Sequence, residues 1–193
     1  MAYHFPYLDK SLQEHLKKIA ESIVVDGKGI LAMDDFNDGI GANLAAIGHE
    51  NTEENRRKYR QTILTSPGIE KTVGGVILYD ETVWQKLDSG KTFPEHLTSL
   101  GINPGAKVDT NITDLEGSYG ECSAQGLDDL LSRARKYKEA GCTFAKWRCS
   151  IKIAEHLPSQ LSINDTAYLQ ARYARVCQQV RQHLSRIEFN FLD

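Results

Sequence analysis

The chain has 193 residues, 40% of them hydrophobic and 25% charged, an ordinary globular composition with enough apolar content for one sizeable core. A net charge of −3 argues against nucleic acid as a bulk electrostatic partner, and no apolar run reaches membrane-spanning length. The four cysteines, Cys122, Cys142, Cys149 and Cys177, have neither C-x-x-C nor zinc-ligand spacing, so they read as reduced thiols of a cytoplasmic protein with no metal centre. Met1 to Lys10 lacks the charged and apolar regions of a secretory signal.

In chain order, Leu12, Leu16, Ile19 and Ile23 fall on one helical face, and Gly27 to Gly29 ends that helix. Ile30 to Asp35 is an apolar run closed by two carboxylates, which predicts a buried strand. Ile40, Leu44 and Ile47 suggest a short helix. Asn51 with Glu54 three residues on reads as the start of another, through Leu64. The basic run Arg56-Arg57-Lys58 in it is diluted by Glu53 and Glu54 and reads as a solvated face.

Gly74 to Asp80 predicts a second buried strand and Phe93 to Leu100 a helix. Gly105 to Asp109 is a short third strand, Thr110 to Gln125 a polar loop, and Leu127 to about Ala140 a helix. Phe144-Ala145-Lys146-Trp147-Arg148-Cys149 is a fourth strand. Alternation puts Lys146 and Arg148 on one face and Ala145, Trp147 and Cys149 on the other. Cations on a face that would otherwise be core admit two readings, buried ion pairs or a site for an anionic group. Ile163 to about Arg186 predicts a last helix.

Strand alternating with helix calls for a parallel sheet with crossover helices. Apolar strands that end in charge fit a (β/α) barrel, whose chemistry lies at the C-terminal strand ends. An open doubly wound sheet is the alternative, although no G-x-G-x-x-G follows any strand. In the barrel, Asp34, Lys107 with Asp109, and Lys146 with Arg148 meet at one mouth.

Gly27-Lys28-Gly29-Ile30-Leu31-Ala32, Glu50-Asn51-Thr52-Glu53-Glu54-Asn55-Arg56-Arg57, Gly74-Gly75-Val76-Ile77-Leu78, Lys107-Val108-Asp109, Gln125-Gly126-Leu127-Asp128, Phe144 to Cys149 and Ala171-Arg172-Tyr173-Ala174 together resemble class I fructose-bisphosphate aldolase. The resemblance runs from about Pro6 to Gln179. It implies an α/β TIM barrel, (β/α)8, of which residues 1–179 supply the first four βα units. It also implies a cytoplasmic lyase that cleaves fructose 1,6-bisphosphate through a lysine Schiff base, without metal or other cofactor, usually as a homotetramer. By the same resemblance Asp34 orients and assists the Schiff-base lysine, and Lys146 assists proton transfer and carbon–carbon cleavage. Lys107 and Arg148 bind the phosphates of the sugar-phosphate substrate.

The departures matter equally. Asp34-Asp35-Phe36 stands where the family has Asp-Glu-Ser, Asn43 where it has a phosphate-binding arginine, and Thr110-Asn111 where it has Lys-Gly. Asn cannot replace the bidentate charge-assisted bonds of Arg. After Gln179 the sequence diverges from the family's fifth strand, and residues 180–193 are expected to prolong the last helix or lack regular structure. The family's Schiff-base lysine belongs to a sixth strand, so these residues alone are expected to be inactive and to associate with each other or with aldolase subunits. The alternative function is a non-catalytic aldolase-like fragment that acts by binding, with no nucleic-acid or membrane partner.

Overall fold

The computed structural model describes residues 8–180 and the backbone of 183–192. Its centre is a five-stranded parallel sheet. In chain order the elements begin with helix α1 (Lys10–Ile23), strand β1 (Gly29–Met33), helices α2 (Asn37–Ala46) and α3 (Glu53–Leu64), and strand β2 (Val73–Leu78). Helices α4 (Asp80–Trp84) and α5 (Phe93–Ser99) lead to β3 (Asn103–Lys107), followed by β4 (Asn111–Asp114) and β5 (Cys122–Gln125). Helix α6 (Leu130–Glu139), strand β6 (Phe144–Lys152), helix α7 (Gln160–Gln179) and strand β7 (His183–Leu192) complete the described chain. The sheet order is β1-β2-β3-β6-β7, while β4 and β5 form a separate antiparallel hairpin.

The two faces of the sheet are filled differently, as strand alternation requires. Leu31, Met33, Val76, Leu78, Ala106, Val108, Ala145, Trp147 and Cys149 pack outward against the helices. On that side the Tyr173 hydroxyl of α7 donates to the Ala145 carbonyl at 2.7 Å, and the Tyr173 and Trp147 rings lie 5.3 Å apart. Burying one such large side chain contributes about 1.5–3 kcal/mol.

The inner face carries a small second cluster of Ile23, Ile77 and Phe144, with Ile19 and Ile30 against it, so α1 closes the floor of the sheet. Glycine makes that floor possible. A Cβ on Gly105 would lie 2.1 Å from the Phe144 ring, and one on Gly74 would lie 2.2 Å from the Ile23 carbonyl oxygen. Above this floor the inward positions turn polar, at Asp34, Lys107, Asp109, Lys146 and Arg148.

Four expectations need correction. Residues 183–192 do not prolong the last helix: α7 ends at Gln179, and His183–Leu192 pairs in parallel with β6, Phe144 opposite His183 through Lys152 opposite Leu192. The alternation of Ile187, Phe189 and Phe191 with Glu188 and Asn190 suits a strand, and the edge of β6 offers it backbone partners. The open edges of the described sheet are therefore β1 and β7, and the fourth predicted strand is an interior one. The loop 110–125 contains the β4–β5 hairpin.

Helix α3 is capped by Thr52, not Asn51. The Thr52 hydroxyl accepts from the Asn55 amide at 3.2 Å, while Asn51 accepts from Arg56. The basic run on α3 is also not a solvated face. The side chains of Arg56 and Arg57 are 11% and 13% exposed and pair with Glu81, Glu54 and Asp88, and only Lys58, at 60%, faces water.

Candidate active site

The site is built where β1 and β3 stop, beside the first half of β6, which runs on to Lys152. Asp34 follows β1, Lys107 ends β3, and Lys146 and Arg148 occupy alternate positions of β6. Lys107 and Lys146 are register partners across β3 and β6, which sets their ammonium groups side by side on the inner face. Like charges so close need compensation, and each lysine has its own carboxylate. Lys146 Nζ donates to Asp34 Oδ2 at 2.8 Å, joining residues 112 apart in sequence. Lys107 Nζ donates to Asp109 Oδ2 at 2.6 Å and to the Asp109 carbonyl at 2.9 Å. All four side chains are buried, at 3–8% exposure for Lys107, Lys146 and Asp34 and 0% for Asp109.

Asp109 carries more of the site than its position at a strand end suggested. Its second oxygen accepts the Arg148 backbone amide at 3.0 Å, so one carboxylate ties β3 to β6 and holds Lys107. The Arg148 guanidinium is left poorly matched. Its Nε is 4.0 Å from Asp109 Oδ2, beyond hydrogen-bond reach, and has no hydrogen-bond partner among the described residues. Burial holds the Lys107 ammonium below its ordinary range, an effect that Asp109 opposes and that Arg148 and Lys146 increase. Lys107, Lys146 and Arg148 bring three cations to this mouth beside the carboxylates Asp34 and Asp109. Cations converging on one strand-end rim suit an anionic ligand.

One aromatic ring lies over this charge. Phe36 is half-buried, with its ring centroid 4.4 Å from Lys107 Nζ and 5.2 Å from the Arg148 guanidinium carbon. Tyr79 meets it edge-on at 5.9 Å, and the fully buried Arg60 lies over Tyr79 at 5.5 Å. Arg60 also donates to the Asp35 carbonyl at 3.2 Å, bracing the turn between Asp34 and Phe36.

The structure thus brings Asp34, Lys107, Lys146 and Arg148 to one mouth. Asp109, expected at the mouth beside Lys107 but given no role there, joins them, as do Phe36 and Arg60, which were not singled out as site residues. For Asp109 a signal was available, since Lys107-Val108-Asp109 puts both charges on one face. For Arg60 there was none, because its partners come from distant elements. No group of side chains suited to hold a metal occurs among the described residues, and none of their helices is long and apolar enough to cross a membrane.

The family described as "Glycolytic: Fructose-bisphosphate aldolase class-I" matches residues 15–187. The chain belongs to the class I fructose-bisphosphate aldolases. Its likeness to members of that family is close: it is 48% identical over 182 residues to the fructose-bisphosphate aldolase of Drosophila melanogaster, covering 94% of this chain and 50% of the relative. Against fructose-bisphosphate aldolase A of Salmo salar it is 46% identical over 179 residues, 92% of this chain and 49% of the relative. The structure superposes with a TM-score of 0.92 and 38% identity on the fructose-bisphosphate aldolase of Plasmodium falciparum, solved as a ternary complex with TRAP and a small-molecule inhibitor. That match covers 97% of this chain and 54% of that one. The chain therefore spans about half the length of the curated aldolases it matches. Its fold is the corresponding part of an aldolase TIM barrel, and the aldolase match extends beyond Gln179 into β7.

Proposed function

We propose that this mouth is the phosphate-binding and proton-handling part of a class I aldolase site, acting on fructose 1,6-bisphosphate or a similar sugar phosphate in the cytoplasm. The observation that carries the reading is the buried Asp34–Lys146 pair at 2.8 Å, at the C-terminal rim of a parallel sheet beside further, incompletely neutralised cations. Aldol cleavage removes a proton from a hydroxyl as the adjacent carbon–carbon bond breaks. A carboxylate held against an ammonium suits that transfer: the carboxylate takes the proton, and the net positive charge this leaves on the pair lies beside an anionic sugar phosphate that offsets it.

In this reading Lys146 assists proton transfer and bond cleavage, and Asp34 orients the carbonyl-activating lysine. Lys107 and Arg148 bind phosphate. That activating lysine, which the family carries on its sixth strand, is not among the described residues, so the derivation stops at binding and proton handling. Association with further aldolase segments or subunits would supply the remaining walls.

The test is calorimetric titration of the purified chain with fructose 1,6-bisphosphate, alongside Lys107→Met and Arg148→Met. Saturable binding that weakens at least about tenfold in each variant is expected. Binding indifferent to both substitutions overturns the assignment. A second reading, a binding fragment without lyase activity, draws support from Phe36 lying where a phosphate would approach. Borohydride reduction with dihydroxyacetone phosphate separates the two: an adduct trapped on a lysine of this chain favours residual chemistry, and none favours the binding role.

A further inference from the structure

We propose that Phe36 is a built-in cover on the anion site, and that a phosphate reaches Lys107 and Arg148 only when this ring swings aside. The inference rests on the sugar-phosphate reading above and goes beyond it by naming the residue that governs entry.

Three observations carry it. The first is donor geometry. An ammonium has three donors. Two hydrogen bonds from Lys107 Nζ go to Asp109, at 2.6 Å and 2.9 Å, and the Phe36 ring lies 4.4 Å from the same nitrogen. A phosphate oxygen bonded to that ammonium would need to come within about 2.7–2.9 Å, into the space the ring takes.

The second is the other cation. The ring also covers the Arg148 guanidinium, at 5.2 Å, and Arg148 Nε has no hydrogen-bond partner among the described residues. One ring thus lies against both groups assigned to phosphate, where its π electrons offer each cation a weak electrostatic partner.

The third is that the Phe36 side chain does not cap the helix it opens. It is the N-cap of α2, with extended backbone at φ −59° and ψ 157°, and it makes no side-chain capping bond. A hydroxyl or short polar side chain is the usual choice there, and the family resemblance puts a serine at this position. The ring's contacts point into the mouth instead, to Lys107, Arg148 and Tyr79. A ligand must first displace it, so apparent affinity falls by the fraction of molecules in which the ring is open.

The experiment compares the wild-type chain with Phe36→Ser and Phe36→Leu. Folding is checked by thermal melting, and amine labelling at Lys107 is mapped by mass spectrometry with and without fructose 1,6-bisphosphate. Phe36→Ser is expected to label Lys107 about tenfold faster and to bind the bisphosphate about tenfold tighter. Phe36→Leu, which keeps bulk but loses the π face, should fall between. Equal labelling and equal affinity in all three overturns the cover. Faster labelling that the bisphosphate does not slow upholds the cover and overturns the sugar-phosphate reading instead.

Discussion

Two buried charge clusters lie at the same end of the sheet, and they differ in how their carboxylates are shared. Each cluster has one guanidinium Nε, of Arg60 and of Arg148, with no hydrogen-bond partner among the described residues. In the outer one, Glu81 accepts from Arg56 at 3.0 Å and 2.5 Å and from Arg60 at 2.8 Å. Burial pushes the Glu81 carboxyl up, but the two arginines outweigh it and hold the group below its usual range. In the inner one, Lys107 is held below its range despite its carboxylate, and Arg148 Nε is without a partner among the described residues. The outer cluster is a brace, since it fixes the Asp35 turn and leaves no charge facing the mouth. The inner cluster gathers Lys107, Lys146 and Arg148 at the mouth, an arrangement that suits an anionic ligand.

If that contrast is right, the largest stability loss belongs to the brace. Glu81→Gln leaves two guanidinium groups uncompensated and should cost about 3–5 kcal/mol, read from urea denaturation. A loss under about 1 kcal/mol would erase the distinction between the clusters. Asp34→Asn should cost somewhat less, about 2–3 kcal/mol, because Lys146 can be reached by water from the mouth. Combining it with Lys146→Met should recover most of that loss in a double-mutant cycle, since the ammonium that lost its Asp34 partner is then gone.

The pH dependence sharpens the comparison further. Lys107 has a folded-state pKa below 10.5, so between the two values the unfolded chain holds more protons at this group. Its burial penalty is fully present at low pH and is relieved as pH rises through the folded value. The wild-type stability minus that of Lys107→Met should therefore rise toward pH 10.5. Cys142 and Cys177 behave oppositely. Burial raises both thiols from 9.0 to about 12, so they contribute stability below pH 9 that is lost as pH rises through that window, at most about 1.4 kcal/mol per pH unit for each thiol. Chemical denaturation between pH 8 and pH 11 measures both trends. The smallest effect belongs to Arg57, whose partners Glu54 and Asp88 are 54% and 67% exposed. Arg57→Ala should cost less than about 1 kcal/mol, and less again in 1 M salt.

The strands were legible because each is an apolar run that charge brings to a stop, and the mouth followed because parallel strands place such ends together. Asp34, Lys107, Lys146 and Arg148 were found that way. What sequence could not supply was partner choice. Arg60 lies two residues beyond a basic run that looks solvated, yet its ring and carboxylate neighbours come from β2's end and α4. Phe36 was visible as an aromatic in place of a hydroxyl, but nothing local says its ring lies on two cations from different strands. β7 was missed for another reason: Leu184 and Ile187 fit a helical spacing, and only pairing with β6 decides for the strand.

The ring of Phe144 occupies room that Gly75 on β2 and Gly105 on β3 leave empty. Sequence change at the floor is therefore constrained in pairs: a methyl gained at position 105 demands bulk surrendered at position 144, in the same step or beforehand. Because Lys146 is the next inward residue on the strand that bears Phe144, an uncompensated swap below would be transmitted upward as a displaced amine. The composition of the floor, remote from any ligand, thereby sets the alignment of the chemistry above it.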